Sequence, residues 1–248
     1  MGDTGPELSA PPPPDAASIV LPIPRVGEPV LATVERYLEA SRELPLRLEL
    51  LLVIRGTDVG AVGDFSTRHP EVRVVVLDDW SWGRAVRRGL AETSEDLICF
   101  TNINRTSVET LTLMLAYALT YRGVVLKANR RTRDSVAQRL GSLLYNAECW
   151  SLFNLVGWDI NGTPKIFPRS CRRLLELVRD DDLIDAEFML VCRQENYPLL
   201  EIPISALARN WDWPRSGFRD ALRMYVGAFR MWRGERAAGR GTVVSSGG

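Results

Sequence analysis

Histidine is nearly missing from the chain: the one copy, His69, stands in an Arg-His-Pro turn. The four cysteines, Cys99, Cys149, Cys171 and Cys192, lie far apart with no Cys-x-x-Cys pair. These scarcities set aside both a zinc site and a histidine-based catalytic triad. Charge excess is lacking too, because 31 basic residues balance 31 acidic ones. A neutral chain has no long-range field to gather nucleic acid, so a general DNA or RNA binder is not expected. Long apolar runs are absent: the longest uncharged one, Leu111–Tyr121, has 11 residues, where a membrane-spanning helix needs about 20. Met1–Asp15 has no basic start and no apolar stretch, so it does not read as a secretory signal, and reduced thiols in the cytoplasm are expected. What is present is globular in kind. With 46% apolar residues in 248, disorder throughout is excluded and one large domain can bury a proper core.

Residues 1–17, with Pro11–Pro14 in a row, read as an extended disordered tail, and 234–248, rich in Gly, Ser and Ala, as a flexible one. Residues 18–233 read as one domain. Apolar runs predict strands at Ser18–Ile23, Leu48–Ile54, Val72–Leu77 and Asp96–Thr101, with helices at Pro29–Arg42, Gly83–Thr93, Ser107–Arg122 and Ser135–Phe153. Strand and helix in alternation imply parallel pairing through right-handed crossovers, hence an α/β sheet covered on both faces. Beyond residue 155 come a turn at Asn161–Pro164, a short strand at Lys165–Pro168, a helical turn within Arg172–Val178, a helix at Asp185–Gln194, a strand at Leu199–Ile204 and a last helix at Gly217–Arg233. Ligands of such sheets sit beyond the carboxyl ends of the strands, which directs attention to the loops after Ile23, Ile54, Leu77 and Thr101.

Those loops and the segments after them carry a recognisable order. It runs Ile19-Val20-Leu21-Pro22-Ile23-Pro24-Arg25, then Ile54-Arg55-Gly56-Thr57, then a Gly-x-Ala-x-x-x-Gly pattern at Gly83, Ala85 and Gly89, then Asn102-Ile103-Asn104. Downstream stand Asp159-Ile160-Asn161-Gly162-Thr163-Pro164-Lys165-Ile166-Phe167, Asp185-Ala186-Glu187 and Glu201-Ile202-Pro203-Ile204. Over residues 18–233 this order resembles a family 2 glycosyltransferase of the GT-A fold, in particular the polyprenyl-phosphate, dolichyl-phosphate mannose synthase-like branch. The fold the resemblance implies is a Rossmann-like mixed α/β sheet flanked by helices. The activity it implies is inverting transfer of a sugar from a nucleotide-sugar donor to a hydroxyl or a lipid phosphate.

The chain departs from that family where the family is acidic. The base-gripping Asp-Asp after the second strand is replaced by Ile54-Arg55, and the metal-binding Asp-x-Asp by Asn102-Ile103-Asn104. A carboxylate about 4 Å from a divalent ion gains roughly 8 kcal/mol at an effective dielectric of about 20, before desolvation. Two amides forgo that attraction. The expectation is therefore a transferase that requires no cofactor and binds Mg2+ or Mn2+ weakly, holding its diphosphate with basic side chains instead. Lys127–Arg139, right after an expected strand and with five basic residues against Asp134, supplies candidates; its rival partner is the acidic run Glu176–Glu187.

By the resemblance, Pro22, Asn102, Asn104, Lys165, Arg209, Arg215 and Ser216 are placed at the donor or its diphosphate; Arg25 and Arg55 at strand ends and Arg130 in the basic run join them as an anion-binding rim, and Asp78 after the third strand stands in for the missing base-binding acid. Glu187, Asp185 and Asp159 are the catalytic candidates, one of them taking the acceptor's proton. Asp185 and Glu187 lie two positions apart on a helix, so only one can face the site, and Glu187 is the first choice. Trp80, Trp82, Trp211 and Trp213 offer rings for stacking on sugars or bases, or for partial core. The final helix places Phe218, Ala221, Leu222, Tyr225, Phe229 and Trp232 on one stripe and arginines away from it, a pattern shared by core packing and by peripheral membrane contact. The rival function is a catalytically inactive scaffold on the same fold. A nucleotidyltransferase is disfavoured because no Gly-rich triphosphate loop follows Pro22.

Overall fold

Apolar runs become strands here because each has two faces to bury. Along β1 (Ala16–Pro22) and β2 (Arg47–Arg55), Ala17, Ile19, Leu21, Leu48, Leu50, Leu52 and Ile54 enter one core, while Val20, Leu51 and Val53 enter the other. β4 (Leu97–Phe100) divides in the same way, Leu97 and Cys99 against Ile98 and Phe100. The computed structural model describes residues 15–130, 136–153, 155, 157, 159–205 and 225–233, without the side chains of 136–143. The first core is closed by α1 (Glu28–Ser41), α2 (Val59–Arg68) and α4 (Val108–Thr120). The second is closed by α3 (Trp82–Ala91), α5 (Val136–Phe153), α6 (Ile184–Gln194) and a helix over 225–233, α7.

With β3 (Val72–Leu77), β5 (Val125–Arg130), β6 (Lys165–Pro168) and β7 (Leu199–Ile204), the seven strands run β3-β2-β1-β4-β6-β5-β7. The expected parallel pairing holds for β1 with β2 and β4, β2 with β3, and β5 with β7. It fails at β6, which is antiparallel to both β4 and β5. The chain enters β6 opposite Phe100, at the carboxyl end of β4. That reversal delivers Lys165 to the ligand-facing end of the sheet. Two further elements go beyond the sequence reading: α2, where it names no helix, and β5, which continues through Lys127 to Arg130 instead of ending ahead of Lys127. The first strand also begins at Ala16, two residues before Ser18, and residues 217–224 of the last expected helix lie outside the described residues.

The Gly-x-Ala-x-x-x-Gly pattern is a packing device. Gly83, Ala85 and Gly89 are buried on α3, and a β-carbon on Gly89 would fall well under 3.0 Å from Val20. The helix thus lies directly on the sheet. All four cysteines are free and buried. Burial pushes the thiols of Cys149 and Cys192 up to about 12 and that of Cys171 up to about 11.

On α5, Glu148 Oε2 is buried with no hydrogen-bond partner among the described residues, and burial holds its carboxyl above the usual range. A raised carboxyl favours the protonated fold, so this contribution is complete below about pH 4.3 and fades as pH rises through the folded-state value. Glu148→Gln should therefore raise the unfolding free energy at pH 7 by roughly 0.5 kcal/mol, allowing for its partial exposure, and change nothing near pH 4. Urea unfolding at the two pH values checks this; an equal effect at both would refute it.

Candidate active site

The loops expected to face the donor start from the carboxyl ends of β1, β2 and β3. Pro22 is buried in β1, in register with Val53. Arg25, three residues on, is exposed and in no ion pair among the described residues. Arg55 donates its Nε–H to Pro24 O at 3.0 Å and lays its guanidinium 5.5 Å from the centroid of Trp80. An exposed cation over an aromatic face gains about 0.5–1 kcal/mol. Asp58 accepts the Val26 N–H at 2.9 Å and ties the β1 loop to the β2 loop. Asp78 is exposed, and a β-carbon on Gly56 would stand 3.1 Å from its Oδ1. Arg55 and Asp78 therefore flank one open corner, since Arg55 is paired in register with Leu77. Asp79 is engaged elsewhere, in an ion pair with Arg84.

The turn after β4 is braced from within. Thr101 Oγ1 and Thr106 Oγ1 are 2.7 Å apart, the buried Tyr37 donates its hydroxyl to Thr106 O at 2.8 Å, and Ser107 caps α4 by accepting the Thr110 N–H. Burial pushes the Tyr37 phenol well above the ordinary tyrosine range, so it remains a donor. Inside this turn Asn102 Oδ1 accepts the Asn104 N–H at 3.1 Å, and Asn104 is only 5% exposed. Among the described residues no group of three His, Cys, Asp or Glu comes together. The side chains present in the described turn thus do not fit a divalent ion by themselves: one amide oxygen is engaged in its own turn and no carboxylate joins it.

On the other side of β4 three buried ion pairs converge. Lys165, fully buried, pairs with Asp185 at the start of α6, and its ammonium stands 5.4 Å and 5.6 Å from the ring centroids of Phe100 and Phe188. Asp185 also accepts from Trp82 Nε1 at 3.2 Å, which links α6 to the first residue of α3. Arg130 grips Asp159 with both prongs, Nε at 2.6 Å and Nη2 at 2.7 Å, and adds its own backbone N–H at 3.1 Å. Asp159 holds a left-handed backbone, φ 55°, within this clamp. Lys127, also fully buried, donates to Asp159 O at 3.1 Å and pairs with Glu201 at 2.5 Å. Burial pulls both lysine ammoniums below the ordinary range, against the opposing pull of Asp185 and Glu201.

The expected site is therefore divided. Arg25, Arg55 and Asp78 stand open at or beyond the carboxyl ends of β1 to β3. Arg130 and Lys165, expected to bind diphosphate, are already neutralised by carboxylates, because a charge buried in this interior requires a partner. The Arg130 partner is Asp159, not the acidic run Glu176–Glu187. Glu187, the first choice for proton acceptor, accepts the backbone N–H groups of Val178 and Arg179 at 2.9 Å and 2.8 Å, which makes it a clamp on the preceding loop. Arg209, Arg215 and Ser216 lie outside the described residues, as do Trp211 and Trp213. Lys127, Glu201 and Trp82 enter the network in roles the sequence did not assign them: Lys127, offered for the diphosphate, is paired with Glu201, and Trp82, offered for stacking, donates to Asp185; a lysine within an apolar strand was the available signal.

No family model matches the chain, and neither does any curated protein sequence. Solved structures do. One described as a mycobacterial protein is similar at a TM-score of 0.67 and 14% identity over 89% of this chain and 75% of its own. Glucosyl-3-phosphoglycerate synthase from Mycobacterium tuberculosis, solved with Mn2+, UDP and phosphoglyceric acid, is similar at 0.63 and 16% over 87% and 76%. The same enzyme solved with Mg2+ and UDP gives 0.58 and 17% over 89% and 80%. These complexes correct one expectation from the sequence, that such a protein requires no cofactor: the neighbour holds Mn2+ or Mg2+ together with UDP. What the likeness establishes for this chain is architecture: its mixed seven-stranded sheet with flanking helices is the GT-A glycosyltransferase fold.

Proposed function

We propose that this protein is a glycosyltransferase that moves a sugar, with inversion, from a nucleoside-diphosphate donor to a hydroxyl or phosphate acceptor. The observation that carries the reading is the division of charge across the carboxyl ends of the strands. Two guanidiniums without ion-pair partners among the described residues, Arg25 and Arg55, stand at the donor end, and the oriented carboxylate of Asp185 lies across β4. In such a transfer the acceptor oxygen bonds to the anomeric carbon while the bond from that carbon to the diphosphate oxygen breaks. The electron pair leaves on the diphosphate, whose growing charge the arginines oppose. The proton of a hydroxyl acceptor passes to a carboxylate, and a phosphate oxyanion has none to lose. Asp185 takes this role by giving up its contact with Trp82 or Lys165 as it accepts the proton, whereas Glu187 holds the preceding loop by two backbone amides. Trp82 and Lys165 fix its orientation, and Asp159 supports the loop that leads into β6. A donor-bound ion would screen the diphosphate; no step here is assigned to it.

The test is turnover of a panel of nucleotide sugars with Mn2+, with Mg2+ and in chelator, against hydroxyl and phosphate acceptors. At least one donor should be consumed. Arg25→Ala and Arg55→Ala should each raise the donor KM roughly tenfold, the worth of one charge-assisted hydrogen bond, with a smaller change in kcat. A second reading, an inactive scaffold, draws on the amide turn at Asn102 and Asn104. It predicts nucleoside diphosphate binding with no donor consumed, and no binding at all would sink both readings.

A further inference from the structure

We infer that α7 is a docking helix for an anionic membrane surface, seating the protein peripherally with the start of α6 close to the bilayer. At 100° per residue, Val226, Phe229, Arg230 and Arg233 share an arc of about 100°. All four are exposed, Val226 by 42% and Phe229 by 46%. The opposite side is fixed to the protein: Ala228 is fully buried, Tyr225 meets Tyr145 edge-on at 6.0 Å, and a β-carbon on Gly227 would stand 2.5 Å from Leu183. The aromatic stripe expected from the sequence is thus split. Tyr225 and Trp232 join the core, whereas Phe229 stays outside among the arginines.

Such a face combines insertable side chains with guanidiniums and no acid. From Tyr225 to Gly248 the sequence holds Arg230, Arg233, Arg236 and Arg240 against Glu235 alone, in a chain whose net charge is zero. Among the described residues neither Arg230 nor Arg233 is in an ion pair. Apolar groups entering the headgroup boundary beside cations are the pattern of interfacial helices, and anionic lipid is their complement. No helix of the described residues is long and apolar enough to cross the bilayer, so the association is by lying on it. Leu183, which Gly227 abuts, immediately precedes α6 and lies two residues before Asp185. Docking on α7 therefore brings the acceptor side of the sheet toward the lipid.

The experiment is flotation of the full chain with vesicles of phosphatidylcholine, with and without phosphatidylglycerol, at low and high salt. The chain should float only with the anionic vesicles and be released by salt. Arg230→Gln with Arg233→Gln should weaken partitioning about 25-fold, about fivefold for each arginine. Phe229→Ser should weaken it as well, with unchanged thermal unfolding. Leu113→Ser, 45% exposed on α4 against the opposite face of the sheet, should leave it as it was. Absence of flotation, or flotation indifferent to the two arginines, overturns the inference. So does a dimer in sedimentation velocity without lipid that Phe229→Ser dissolves, since the occupant would then be a second copy.

Discussion

Asp185→Ala should lower the unfolding free energy by about 3–5 kcal/mol at pH 7, the range for removing one partner of a buried ion pair. Lys165 is fully buried, and its ammonium would be left with the faces of Phe100 and Phe188 as its nearest compensation. Burial already holds that ammonium below the ordinary lysine range, with Asp185 opposing the shift; without Asp185 it falls further. The sign of the pH effect follows. Between the lowered folded value and about 10.4 the unfolded chain binds more protons than the folded one, so stability rises with pH across that window. The deficit of Asp185→Ala should accordingly shrink as pH is raised toward 10. Lys165→Met combined with Asp185→Leu, which removes both charges, should cost far less than either half alone. Asp185→Asn preserves shape and should reduce turnover by about 10²–10⁴-fold, the usual worth of a general base. Urea unfolding from pH 7 to 9.5 and steady-state kinetics supply both readouts; a pH-independent deficit below 1 kcal/mol would show that the pair is not the buried charge described.

Gly162→Ala is the second large effect. The added carbon would fall well under 3.0 Å from the carbonyl oxygen of Ala128, and 2.9 Å from that of Asp159. Both obstacles are backbone, so no side chain can swing aside. Overpacking of this kind costs about 1–3 kcal/mol, and more where the backbone itself must move. The loop would lift away from β5, taking Asp159 from Arg130 and the 3.1 Å contact from Lys127. A loss of about 3 kcal/mol with weaker acceptor-side function is expected. If Gly162→Ala unfolds at the same denaturant concentration as the parent, the close approach of this loop to β5 is wrong.

β1, β2 and β4 are legible because their apolar runs bury both faces, whereas β3, an edge strand with Arg73 and Val76 exposed, is legible from its valines alone. α2 is not, since Gly60 and Gly63 lie within its 10 residues and dilute the helical signal. β5 shows in the sequence only ahead of Lys127, a charged residue where a buried strand should be apolar; Glu201, 74 positions away, and the carbonyl of Asp159 account for its presence. The antiparallel turn of β6 is equally silent in the sequence, because pairing direction depends on where the chain re-enters the sheet. At the candidate site the exposure of Arg25, Arg55 and Asp78 could be read from strand ends alone. The neutralised state of Arg130 and Lys165 could not, because their partners are 29 and 20 residues distant, and nothing local distinguishes an arginine that meets a ligand from one that meets an aspartate.

The sealed sulfurs give this protein a built-in reporter. With every thiol inside and its ionisation suppressed, an alkylating or disulfide reagent reacts only when a segment opens. Cys99 at the centre of the sheet and Cys192 on α6 sit in separate cores, so the order in which they become modified under mild denaturant would reveal which half of the molecule breathes first.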